Sequence, residues 1–317
     1  MIKPNLFIIG APKCATSSLA TYLSEHPDVF LSTPKEPFFW SEDYPGLRKR
    51  FGMNSLEDYM RLFEPADGQG IVAEGSTNYL RSKVAVENIM RFNPDARFIV
   101  MLRDPVQVAH AFHSEILFSR IENVESFEEA WRLQADRKLG LHLPAKCEAE
   151  QFLQYGEVAS YADDLERFFE LVPADQRQVI LFDDFASDTR RVFNGTLEFL
   201  DLAEFVKPEF QRCNASHDHR FPALSRLLLD PPTPVRPLVE SARSLLRRAQ
   251  FGPVEKMKHA LRKPAKRTAL TPEFHNELCD FFAPDIARTS QLLGRNLSSW
   301  AVPKEVSNEP ECAALGV

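Results

Sequence analysis

Along most of this 317-residue chain, short unbroken apolar runs alternate with stretches of helical period. The runs near residues 5–9, 71–73, 97–102 and 178–182 read as strands buried on both faces, because they present no polar side to water. Between them, apolar residues at three- and four-residue spacing predict helices near 17–25, 55–63, 83–92, 105–119, 126–138, 157–171, 189–200 and 272–293. Asp188-Thr189 and Thr271-Pro272-Glu273 supply start signals for the last two. Strands separated by helices predict the α/β class, with a central parallel sheet flanked by helices and a single domain over 1–300.

The alternation fails over about 214–270. Asp230-Pro231-Pro232-Thr233-Pro234 breaks any helix, and a basic stretch follows, with Arg243, Arg247, Arg248, Lys256, Lys258, Arg262, Lys263, Lys266 and Arg267. A solvated amphipathic helix with a linker is one reading and a basic lid over a bound anion is the other. Residues 301–317 read as a weakly ordered tail.

Chemistry concentrates where the first strand turns into the first helix. In Leu6-Phe7-Ile8-Ile9-Gly10-Ala11-Pro12-Lys13-Cys14-Ala15-Thr16-Ser17-Ser18-Leu19, one lysine and three hydroxyls sit at that turn. A helix N-terminus offers unpaired N–H groups and a positive dipole end, so such a turn suits phosphate. The spacing departs from GxxxxGK[ST], since Lys13 lies inside the loop and no Gly-Lys pair precedes Thr16. An ordinary nucleoside-triphosphate site is disfavoured. The strand at 97–102 runs directly into Arg103-Asp104-Pro105. Ligands of open α/β sheets bind at the carboxyl ends of strands, so Lys13 and Arg103 are placed to grip two ends of one multiply phosphorylated nucleotide.

Composition narrows the classes. A hydrophobic content of 44% supports a sizeable core, and a net charge of −7 argues against a general nucleic-acid or anionic-membrane binder while allowing a local basic groove. The five cysteines lack paired short spacing, which supports neither a zinc site nor a disulfide framework. No signal peptide and no membrane-length apolar run are apparent, so a soluble, cytoplasmic protein without stable membrane insertion is expected. Oligomeric state is not legible.

Taken together, these segments resemble the sulfotransferases that use 3'-phosphoadenylyl sulfate (PAPS), in particular their bacterial and carbohydrate-type branch. The loop, His26-Pro27-Asp28-Val29, Lys35-Glu36-Pro37-Phe38-Phe39-Trp40, Glu74-Gly75-Ser76-Thr77-Asn78-Tyr79-Leu80, Arg103-Asp104-Pro105 and Leu292-Leu293-Gly294-Arg295-Asn296-Leu297-Ser298-Ser299-Trp300 follow the family's order across nearly the whole chain. The resemblance implies a P-loop-like sulfotransferase fold and in-line transfer of a sulfuryl group from PAPS to a hydroxyl or amine. The acceptor would be a small molecule, lipid or glycan, the product adenosine 3',5'-bisphosphate, and no metal is required. No nucleic-acid partner is implied.

Roles then fall on particular positions. Lys13 is the cation for the 5'-phosphate and bridging oxygen. Cys14 and Ala15 complete the loop, Thr16, Ser17 and Ser18 donate to the phosphosulfate or cap the helix, and Arg103 binds the 3'-phosphate or pairs with Asp104 or Asp95. Ala15 stands where the family has glycine and approaches an anion provided its φ is negative. Ala111 stands where the family has serine, and Ser114, one turn on, is its substitute or a surface residue. Glu36 is the preferred proton acceptor, desolvated by its aromatic neighbours, or else an ion-pair partner of Lys35. Glu74 is the second candidate, with Gly75 in place of an expected lysine; His110 and His113 rank lower, and Lys35 is a candidate to orient the sulfuryl group. An ATP- and magnesium-dependent kinase and a non-catalytic nucleotide-binding protein are the competing readings.

Overall fold

Five parallel strands form the sheet, four of them at the predicted apolar runs and one, at 29–31, beyond them. The computed structural model describes residues 2–145, 147, 149–206, 209–210, 217–219, 262–264 and 267–302. Strands β1 (Leu6–Gly10), β2 (Val29–Leu31), β3 (Ile71–Glu74), β4 (Arg97–Leu102) and β5 (Arg177–Leu181) lie in the order β2-β3-β1-β4-β5. Leu6 of central β1 pairs with Ala73 on one side and Arg97 on the other, and every residue of β1 is buried. Its run Leu-Phe-Ile-Ile-Gly is therefore a core strand covered on both faces.

Helices make the crossovers. α1 (Thr16–Leu23) follows β1; α2 (Pro45–Phe51) and α3 (Leu56–Met60) precede β3; α4 (Ala85–Phe92) joins β3 to β4. After β4 come α5 (Pro105–Phe118), α6 (Phe127–Arg132), α7 (Gln134–Lys138), α8 (Tyr155–Ala159) and α9 (Ala162–Leu171), and after β5 come α10 (Phe182–Ser187), α11 (Thr189–Phe199) and the long α12 (Pro272–Leu293). The backbones of β6 (His217–His219) and β7 (Arg262–Pro264) pair antiparallel. Among the described residues no helix is long and apolar enough to cross a membrane. Most of the lid or linker expected over 214–270, and the tail beyond Val302, fall outside the described residues.

Several boundaries differ from the periodic reading. The helix expected over 126–138 divides at Leu133 into α6 and α7, and that over 157–171 divides at Ser160 and Tyr161. The second break has a partner: Asp285 of α12 accepts from the N–H groups of Tyr161 and Ala162, both at 2.9 Å. The chain thus turns where a distant carboxylate caps α9. β2, α2 and α10 are too short to stand out as periodic segments.

A buried ion pair ties the segment after α5 to α7 and α8. Arg137 donates to both oxygens of Glu122, at 2.6 and 2.9 Å, with both side chains fully buried, and the Tyr155 hydroxyl also donates to Glu122. The arginine and hydroxyl hold the Glu122 carboxyl below its usual range against the opposing effect of burial. Removing one member leaves an unpaired charge in the interior. Arg137→Met is expected to cost about 3–5 kcal/mol in chemical denaturation, and Arg137→Met with Glu122→Leu to recover most of that loss.

Candidate functional site

The carboxyl ends of β1, β4 and β5 meet at one edge, and the motif residues gather there. α1 begins without a capping side chain and without an acidic residue in its first turn. Its start is therefore open to an external anion. Lys13 and Ala15 hold left-handed φ values of 63° and 66° on either side of Cys14, a reversal of the kind from which anion-cradling nests are built. The expectation of a negative φ at Ala15 is thus corrected: the loop bends through the left-handed region there, the conformation for which glycine is the unstrained residue. Thr16 and Ser18 are buried and Ser17 half-buried at the start of α1.

The Lys13 ammonium lies 3.1 Å from Glu115 on α5, both partly exposed. Cys14 Sγ is 3.4 Å from the Pro12 carbonyl oxygen, and burial pushes its thiol up to about 12 against the pull of Arg103 and Lys13. The cysteine contributes backbone to the loop and no charge.

Arg103 follows β4 directly. Ala11 N–H donates to the Met101 carbonyl at 2.6 Å, so the first loop and the Arg103 turn lie side by side. Tyr161 links them further: its hydroxyl donates to the Arg103 carbonyl at 2.7 Å and also meets the Cys14 thiol. The Arg103 guanidinium sits 4.4 Å from the ring centre of Phe182, the first residue of α10. Asp104, considered above as an ion-pair partner, caps α5 by accepting from Val106 N–H at 3.0 Å and Gln107 N–H at 3.4 Å. The Arg-Asp-Pro signature thus encodes a cation followed by a closed helix start.

The segment Lys35–Trp40 forms an arch that is tied to Ser76 and Tyr79 and reaches the start of α1 through the Lys35 side chain. Lys35 Nζ lies 3.3 Å from Thr16 Oγ1, 3.4 Å from Ser17 Oγ and 3.2 Å from Glu36 Oε1. Glu36 is half-buried, with its side chain 33% exposed, and is paired with Lys35. Beneath them Glu74 is fully buried, accepting from Tyr59 at 2.8 Å, Ser76 at 2.8 Å and Tyr79 at 3.0 Å. Burial raises its carboxyl to about 7, although the three hydroxyls pull the other way. Two of those hydroxyls also hold the arch: Ser76 Oγ accepts from Phe38 N–H at 3.0 Å, and Tyr79 accepts from Trp40 N–H at 3.2 Å. Phe38 is kept at a φ of 56°. Glu74 is thus linked through Ser76 and Tyr79 to the segment that carries Glu36.

The remaining candidates lie on α5. Ser114 donates to the His110 carbonyl at 3.1 Å. His110 and His113 pack on the Phe127 ring, His113 Nε2 donates to the Val124 carbonyl at 2.9 Å, and burial, with the Arg267 and His113 charges, lowers His110 to about 3. Neither histidine stands beside the Lys35–Glu36 arch in any described contact. Among the described residues no group of three or more His, Cys, Asp or Glu is arranged to hold a metal ion. Tyr161, Glu115, Phe182 and Asp285 escape the sequence reading because each joins the site across the fold, from outside the motifs.

No family model matches the chain. It is similar to human carbohydrate sulfotransferase 15, 27% identical over a region covering 63% of this chain and 44% of that protein. It is also similar to human heparan sulfate glucosamine 3-O-sulfotransferase 5, 23% identical over 63% of this chain and 52% of that protein. The chain thus spans about half the length of these relatives. A crystal structure of a sulfotransferase from Alicyclobacillus acidocaldarius superposes with a TM-score of 0.68 at 27% identity, covering 95% of this chain and 99% of that one.

Two outcomes follow from this geometry. Ala15→Gly, which relieves the left-handed alanine, is expected to raise the unfolding free energy by about 1 kcal/mol in chemical denaturation. Glu74 holds its proton in the folded state up to about 7, against 4.5 ordinarily, so its contribution is full below pH 4.5 and is lost as pH rises through 7. Relative to Glu74→Gln, the wild type should lose up to about 3 kcal/mol of stability across that window, read from denaturation curves at successive pH values.

Proposed function

We propose that this relative of the sulfotransferases, which carries their fold, transfers a sulfuryl group from PAPS to a hydroxyl or amine of a carbohydrate or other small acceptor. The open start of α1, with Lys13 and Lys35 beside it and Arg103 in the neighbouring turn, is the observation that carries the reading. The donor set fits a nucleotide with anionic groups at two ends: an uncapped helix and two lysines for one, a guanidinium for the other. PAPS, when bound, supplies an activated sulfuryl group on a phosphate leaving group.

The chain's own residues then divide the work. Lys13 and the first-turn N–H groups of α1 hold the phosphosulfate end and balance the charge that grows on the leaving oxygen. Thr16 and Ser17 donate hydroxyls there, and Arg103, backed by the Phe182 ring, holds the 3'-phosphate. Glu36 takes the proton of the acceptor at its carboxylate, since it is the carboxylate of the arch open to solvent and stands beside Lys35. Glu74 keeps the arch in shape and lies too deep to touch an acceptor. The relatives are named as carbohydrate and heparan sulfate sulfotransferases, which supports a sugar as the acceptor class. A cytoplasmic location belongs to the same proposal, in keeping with Cys14, Cys147 and Cys279, which form no disulfides.

Calorimetry with adenosine 3',5'-bisphosphate and with ATP, each with and without magnesium, tests this. Bisphosphate binding without metal is expected, weakened about tenfold or more in Lys13→Ala. Glu36→Gln should keep that affinity while losing about 100-fold or more in turnover, followed as the sulfate mass increment on an acceptor. Indifference to the bisphosphate, or preference for magnesium-ATP, would overturn the reading.

A further inference from the structure

The stretch between β3 and α4 carries a glycine whose backbone does not call for one. Gly75 follows Glu74, is buried, and is absent from the glycines with positive φ, so an alanine is allowed there by conformation. What a side chain there would meet is the stem of Lys35, which would have to move. A Cβ at Gly75 would lie 2.8 Å from Cε of Lys35 and 3.4 Å from both its Cγ and its Nζ. Neither backbone has freedom to retreat, because Gly75 N–H donates to the Lys35 carbonyl at 2.9 Å, while Glu74 and Ser76 on either side are locked in the hydroxyl cage.

We propose that Gly75 is a positioning residue: the space left by its missing side chain is the channel through which the Lys35 stem crosses to the first turn of α1, where its ammonium serves as a second cation of the anion site. The inference rests on the functional reading above for the identity of the anion, but the channel itself is a statement about packing. Lys35 is sequence-remote from the loop yet meets Thr16 and Ser17, with its side chain 19% exposed. A lysine in that position has surrendered rotamer freedom and some hydration, which a ligand's anionic oxygen would repay by direct contact. Lys13, in the loop itself, is engaged with Glu115 on α5. The two ammonium groups therefore come to the helix start from different elements, and both are needed to cover an anion that carries charge on more than one oxygen. Displacing Lys35 would also strip Glu36 of its partner, so the glycine governs the placement of both members of the arch.

The test is a double-mutant cycle on Gly75→Ala and Lys35→Ala with two readouts. The first needs no nucleotide: acetylation of Lys35 by limiting acetic anhydride, followed by peptide mass spectrometry and referenced to Lys83, should rise severalfold in Gly75→Ala as the ammonium is pushed into solvent. The second is affinity for adenosine 3',5'-bisphosphate. Each single variant should lose about tenfold, and the double variant no more than either single, because both changes remove the same contact. If Gly75→Ala lowers thermal stability through crowding, the double variant should restore it, since the clashing stem is gone. Unchanged acetylation of Lys35, or losses of affinity that multiply in the double variant, would overturn the proposal. Wild-type protein that ignores the bisphosphate would sink the functional reading instead, and the acetylation result would still decide the role of Gly75.

Discussion

An open helix start at the carboxyl edge of the sheet is the constraint around which the rest of the site is arranged. α1 and α5 follow neighbouring strands, yet they begin differently: Asp104 closes α5 with two hydrogen bonds, whereas α1 has neither a capping side chain nor an acid in its first turn. Unpaired N–H groups at such an end remain costly unless water or an anion meets them. The neighbouring elements supply further positive charge, Lys13 from the loop, Lys35 from the arch and Arg103 from the β4 turn. On a chain of net charge −7 this concentration is local, so attraction is directed at one end of one helix.

The charged groups at this edge and in the frame behind it are balanced in different ways. Lys13 faces Glu115 and Lys35 faces Glu36, in pairs that solvent reaches. Arg103 lies over the ring of Phe182. Exposed pairs are worth little and exchange readily, so an incoming phosphate can take over from Glu115 at small cost. Arg137 and Glu122 are the opposite case, fully buried and bidentate, with the Tyr155 hydroxyl and the Asn123 and Val124 N–H groups also donating to the carboxylate. That pair cannot be given up without stranding a charge, and it belongs to the frame. Glu74 belongs to the frame for a different reason, since it faces hydroxyls and spends its hydrogen bonds on fixing Ser76 and Tyr79 under the arch.

How much of this was legible in the sequence depended on range. β1 and β4 announce themselves because a strand buried on both faces must be apolar throughout, and the motif residues at 13–18 and 103–105 are contiguous with those strands. β2 has only three residues, and α2 opens on Pro45-Gly46, so neither leaves a periodic trace. The helix over 157–171 reads as continuous because its break is imposed by Asp285, more than a hundred positions away. Local pattern is also silent on what two small residues do. Ala15 takes the left-handed φ that its family-typical glycine would take, and Gly75 looks like a cation lost when the space it leaves is filled by Lys35.

The arch itself shows why distant parts of the chain are needed. Phe38 sits at a φ of 56°, an uncommon state for a bulky side chain, and it persists only because the surroundings determine it from several directions. Its N–H is held by Ser76, the next N–H but one by Tyr79, and its ring packs 5.1 Å from Phe51. On the far side of the loop, Tyr161 is pinned by Asp285, and Trp300 donates to Asp183 beside Phe182 at 2.7 Å. The C-terminal helix and its closing turn therefore brace the same edge that the first loop opens. A site that draws cations from the first loop, the Lys35 segment and the β4 turn to one edge needs such bracing from both ends of the chain, because like charges gathered there oppose its assembly.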